Sequence, residues 1–232
     1  MEPIVLNWSS GKDAALAYYY LQKSGVYQVN GLLTTLSAAY KRVSMHGVPE
    51  EVLDMQAGQM RQDLHKIYLP ESAGMEIYNA LMREAVETIR NKGIRHLAFG
   101  DLFLEDLRRY REEQLAAENF RAVFPLWKKN THALVEEIED VGIRAMIICV
   151  DERFLGKEFL GKPIDRQLLE LLPAGVDPCG ENGEFHTLVT DAPFFREPLA
   201  IEKGDIVHNS DKGNQQMELD TGFWFLDVRK GC

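Results

Sequence analysis

Four apolar runs, residues 3–8, 29–36, 65–70 and 94–101, alternate with four segments of helical periodicity, 13–24, 49–63, 75–93 and 104–120. No other feature of the chain limits its fold so strongly. Strands that alternate with helices at this spacing are joined by right-handed crossovers, which builds a parallel sheet with helices on both faces. The punctuation agrees. Gly25 and Gly93 stand just past helix ends, and Pro49 occupies a first-turn position that proline tolerates. The expected class is therefore α/β.

After residues 123–127 come one more helix and a strand at 143–151, and then the texture changes. From about Gly175 short strand-like pieces, 184–193, 199–210 and 221–228, are divided by Gly, Asp, Asn and Pro, as in an antiparallel sheet. The expected organisation is a parallel α/β domain over residues 1–130 and a smaller mixed α+β domain over 131–232.

Bulk properties exclude several classes. The 232 residues, 45% hydrophobic, can bury a core as one large domain or two modest ones. No apolar run approaches the roughly 18 residues of a membrane span. The first residues lack the basic and apolar blocks of a signal peptide. Cys149, Cys179 and Cys232 are isolated, which fits a reducing cytoplasm and argues against a structural zinc or an iron–sulfur cluster. A net charge of −10 argues against a nucleic-acid partner, because phosphate neutralisation needs a basic surface.

The join between the first strand and the first helix reads Ser9, Ser10, Gly11, Lys12, Asp13. At such a turn in a parallel sheet, backbone N–H groups point outward beyond the strand ends. Gly11 permits close approach, the serines supply hydroxyls, Lys12 a charge, and the helix the positive end of its dipole. Together these suit a phosphate, and Asp13 suits a magnesium ion bridging phosphates. The plainer reading is a serine-capped helix start. The spacing is neither a Walker A loop nor GxGxxG.

The loop resembles the SGGxDS loop of PP-loop (N-type) ATP pyrophosphatases, HUP-like enzymes that cleave ATP between its α and β phosphates. Ser10 stands for a glycine of that pattern and Ala14 for its final serine. The stretches 32–35, 44–49, 99–113, 124–127 and 177–195 resemble one subfamily, the diphthine–ammonia ligases and their bacterial-type relatives. Among these, Gly180 to Thr187 (GENGEFHT) is similar to a GEGGEYE-type motif, departing at Asn182 and His186. The resemblance implies activation of a carboxylate by ATP and Mg²⁺, through an acyl-adenylate, and its amidation by ammonia, with the second domain closing over the loop. The acid is protein-borne or a small molecule. A homodimer, a nucleotide-binding protein without turnover, and a tRNA-modifying enzyme stay open.

The same resemblance implies a nucleotide site from residues 9–13 with Thr34, Thr35, His46, Gly100 and Asp101. For catalysis or substrate it adds Arg111, Glu112, Gly180, Glu181, Asn182, Gly183, Glu184, His186 and Thr187 to Lys12 and Asp13. If residues 184–187 are extended, Glu184 and His186 share a face, where they could hold ammonium or act as its base. On the fourth helix a solvated ion pair, Arg108 to Glu112, is the simpler account of most charges. Cys179 suits a small buried residue. His65, His96, His132 and His208 read as structural, and the Tyr18 to Tyr20 and Phe223 to Phe225 runs as packing.

Overall fold

Ile4, Val5 and Leu6 carry apolar side chains to both sides of the first strand, and all three are fully buried. That strand can only sit at the middle of a layered structure, which is where a computed structural model of the chain places it. The structure describes residues 1–44, 46–71, 73–210 and 222–231; Cys232 and the expected start of the last strand, Thr221, lie outside them.

The first half runs β1 (Glu2–Asn7), α1 (Lys12–Lys23), β2 (Tyr27–Ser37), β3 (Arg42–Val43), α2 (Glu50–Met60), β4 (Leu64–Leu69), α3 (Met75–Asn91), β5 (His96–Ala98), α4 (Glu105–Ala117) and β6 (Arg121–Val123). β1 lies between β2 and β5, β2 pairs with β4 and β5 with β6, all parallel. β3 is a short antiparallel addition at the end of β2. Alternation along β1 decides which helix covers which face. Ile4 and Leu6 pack with Leu16 of α1 and Val52 of α2. Val5 packs the other way, with Val86 and Ile89 of α3 and Leu115 of α4. Each such buried aliphatic contributes about 2 kcal/mol.

The second half is α5 (Thr131–Asp140), β7 (Arg144–Asp151), a 3-10 turn (Lys157–Phe159), α6 (Arg166–Leu171), β8 (Phe185–Asp191), β9 (Ile201–Ser210) and β10 (Gly222–Lys230). Its four strands form an antiparallel sheet in the order β8, β7, β10, β9. The apolar cluster beneath α1 and α2 continues through Ile147, Val189 and Leu226, so the two sheets share one core.

The boundaries move for local reasons. The second helix stops at Met60 because Arg61 turns left-handed, with φ of 53°. The strand expected over 94–101 is only His96–Ala98, since Gly100 leaves the sheet to pass against α1. A Cβ there would lie 2.9 Å from the Asp13 carbonyl carbon. α1 begins on Gly11 without a side-chain cap, so the serine-capped reading fails. Among the described residues, no helix is long and apolar enough to cross a membrane.

Candidate active site

From β1 the chain crosses first to β2 and β4 on one side, and later to β5 and β6 on the other. The end of β1 is therefore the topological switch point, where parallel sheets open a crevice. Residues 9–13 occupy it. Ser10 is buried with φ of 71°, a left-handed conformation that costs a non-glycine residue about 1–2 kcal/mol. Glycine adopts this conformation without that cost. Gly11 is hemmed in: a Cβ there would sit 3.2 Å from His46 Cε1, from Thr187 O and from Thr187 Oγ1.

Lys12 is only 2% exposed. Its Nζ donates to Asp13 Oδ2 at 2.8 Å and to the Cys179 carbonyl, and lies 5.4 Å from the Phe185 ring centroid. Burial opposes its charge, but Asp13, Cys179 and Glu181 outweigh that and hold its pKa above the ordinary lysine value. Lys12 is therefore held in its protonated form, paired with Asp13. Asp13 Oδ1 is buried without a partner. One free carboxylate oxygen beside a phosphate cradle fits magnesium, which keeps waters and takes few protein ligands. Among the described residues no three His, Cys, Asp or Glu side chains converge as a protein-only metal site.

The loop forms the floor of a cleft of about 660 Å³, with walls from both sheets. β8 of the second sheet lies against the loop. The Lys12 N–H donates to Thr187 Oγ1 at 3.0 Å, and the Val189 N–H donates to the Ser10 carbonyl at 2.9 Å. β8 is thus laced to the loop.

Residues 177–187 divide their labour in a way the sequence pattern conceals. Gly180 and Gly183 have φ of 67° and 88°, turn conformations that favour glycine. Glu184 is 1% exposed and does not line the cleft. Its carboxylate accepts from the Asp177 N–H at 3.0 Å, the Asn182 N–H at 2.9 Å and Asn182 Nδ2 at 3.0 Å. The expected pairing of Glu184 with His186 in chemistry is thereby corrected: Glu184 clamps its own turn, with Asn182 as its partner.

Glu181 is the carboxylate of this turn that reaches the cleft. It accepts from the Leu102 N–H at 2.7 Å. Burial pushes its pKa up to about 7, with Asp13 and Asp101 adding to the rise and the Leu102 N–H and Lys12 opposing it. His186 lies ring to ring with His46, centroids 4.5 Å apart. Burial first, and then Lys12, lowers the His186 pKa to about 4. His46 is held well below its ordinary value by burial, His186 and Lys12. Both imidazoles are neutral at pH 7. Burial also pushes the Cys179 thiol well up, so it is inert as a nucleophile.

At the other end, Asp101 and Arg111 line the cleft and touch, Nε to Oδ2 at 2.8 Å. The Arg111 guanidinium also lies over the Phe99 ring at 4.2 Å. Asp101 is raised by burial, which Arg111 opposes. Glu112 is excluded from this wall. One residue along a helix turns the side chain about 100°, so Glu112 points to solvent and pairs with Arg108 at 2.8 Å. Thr34 and Thr35 both line the cleft, and the Thr34 hydroxyl is donated to the Trp8 carbonyl at 2.6 Å.

Sequence reasoning missed Gln56 and Tyr78. Tyr78 comes from α3 to line the cleft. Gln56 on α2 is fully buried and reaches the loop from below. A glutamine at a core position of an amphipathic helix was the available signal.

The Diphthamide synthase C-terminal domain family matches residues 130–221. The diphthine–ammonia ligase of Bos taurus is 35% identical over 113 residues, 46% of this chain and 42% of that protein. That of Homo sapiens is 34% identical over 115 residues, 47% and 43%, and that of Danio rerio 31% over 116 residues, 47% and 45%. The matched stretch spans under half the length of these curated relatives.

Proposed function

We propose that this chain, a relative of the diphthine–ammonia ligases, is an ATP-dependent ligase that converts a carboxylate to an amide with ammonia. The observation that carries this reading is one cleft in which the loop of residues 9–13, with its buried cation, meets Glu181. ATP supplies the activation: cleavage between its α and β phosphates makes the acid's oxygen a leaving group, which departs with AMP when ammonia attacks.

Lys12 and the N-terminus of α1 stabilise the charge that builds on the phosphates. Asp13 would hold Mg²⁺ through its free oxygen. Glu181 takes a proton from ammonium, because Glu184 is saturated with donors and His186 binds protons too weakly. The neutral pair His46 and His186 keeps water from the loop without adding charge. Arg111, balanced by Asp101, orients the acid.

One observation favours a second reading, a nucleotide-binding protein without turnover. Ala14 lines the cleft where similar loops carry a serine hydroxyl. Incubation with Mg-ATP, ammonium and a carboxylic-acid library separates the two. AMP and pyrophosphate appearing with one acid is the expected result. ADP and phosphate would sink the ligase reading, and ATP binding without any cleavage would establish the second one.

A further inference from the structure

Gln56 is bound on every side. Its Oε1 accepts from Trp8 Nε1 at 2.9 Å, and its Nε2 donates to the Ser10 carbonyl at 3.1 Å and to the Val189 carbonyl at 2.8 Å. An indole N–H only donates, so the amide can be oriented in one way. One fully buried side chain therefore ties the residue before Ser9, the residue after it, and β8 of the other sheet.

Its grip on Ser10 has a consequence for the loop. The Ser10 carbonyl receives Gln56 Nε2 and the Val189 N–H together. In a trans peptide the next N–H points the opposite way from the carbonyl, and no cis bond occurs among the described residues. Anchoring the Ser10 carbonyl inward thus turns the Gly11 N–H away from Gln56 and β8. It also holds Ser10 at its φ of 71°, which serine does not adopt by preference. A glycine would need no such holding.

We propose that Gln56 is a positioning residue that sets the conformation of the nucleotide loop by holding Ser10 in the left-handed region that glycine adopts freely. Gln56 does not line the cleft and acts through the Ser10 peptide. Its effect on nucleotide rests on the ligase reading above; its effect on loop shape does not.

The test is a double-mutant cycle of Gln56→Leu and Ser10→Gly, in the full chain, with two readouts. One is affinity for the uncleavable α,β-methylene-ATP by calorimetry. The other is hydrogen exchange of residues 9–14 without nucleotide. Gln56→Leu is expected to weaken binding about tenfold and to speed exchange across the loop. Both penalties should be clearly smaller in the Ser10→Gly background. Equal penalties in the two backgrounds, or none in either, would overturn the proposal. If native protein binds no nucleotide, the ligase reading fails, and the exchange data alone decide the role of Gln56. Should the leucine variant not fold, Gln56→Glu replaces it, keeping the acceptor for Trp8 and leaving at most one O–H donor for the Ser10 and Val189 carbonyls that now have two.

Discussion

The cleft has two kinds of wall-builder, a loop from the parallel sheet and a turn from the antiparallel one, and they are made differently. In the loop, residues 9–13 are consecutive and act as one unit, because a strand end and a helix start leave room for a single path. In the turn, neighbours in sequence have opposite fates. Glu181 opens to the cleft with its carboxyl near neutrality, while Glu184, three positions on, is consumed by three donors of its own turn. Hydrogen-bond saturation, more than residue type, separates a chemical group from a structural one.

Five experiments would break or sharpen that contrast. The largest effect belongs to the loop. Lys12→Ala removes the buried cation, and AMP formation should fall at least about 100-fold, with ATP affinity measured alongside. Retention of turnover would mean that the loop is not the phosphate cradle.

The turn comes next, through its two acids. Glu184→Ala leaves three donors without their acceptor and should cost about 3 kcal/mol in denaturant unfolding. Glu181→Gln should leave folding intact and slow amidation by ammonium about 100-fold. Hydroxylamine, already neutral at pH 7, should restore much of that rate in Glu181→Gln. Equal losses with both nucleophiles would remove Glu181 from the ammonia step.

A pH series reads the same contrast more gently. Glu181 has a folded pKa of about 7 against 4.5 for the free side chain. Its ionisation is disfavoured in the fold, so it costs stability progressively as pH rises from 4.5 through 7. Glu181→Gln should thus gain melting temperature over the native chain between those limits and hold the gain above them. His186 runs opposite in pH: with a pKa lowered from 6.5 to about 4, its contribution is complete above 6.5 and lost as pH falls through 4. His186→Asn should flatten that acid limb. The smallest effect is expected at Glu112→Ala, whose exposed ion pair is worth less than about 1 kcal/mol. Activity there should be unchanged, and a marked loss would put Glu112 back in the cleft.

Much of this was legible in advance. The place of the loop was readable because it follows from adjacent residues and from the order of strands. Arg108 pairing with Glu112 followed from helical spacing alone. Glu184 was misassigned because period-two alternation says which face a side chain takes and nothing about which donors await it. Gln56 was invisible for a related reason: its partners, Trp8, Ser10 and Val189, are joined only by folding.

By itself the sequence determined the parallel sheet, the place of residues 9–13 at its switch point and the antiparallel character of the second half, since all three depend on short-range periodicity and turn chemistry. Tertiary structure alone decided which acid of the turn faces the cleft, that His46 and His186 stay uncharged, and that Ser10 is kept left-handed from beneath. Those outcomes depend on burial and on hydrogen bonds between residues far apart in the chain, and desolvation acts on a group only once distant segments have closed around it.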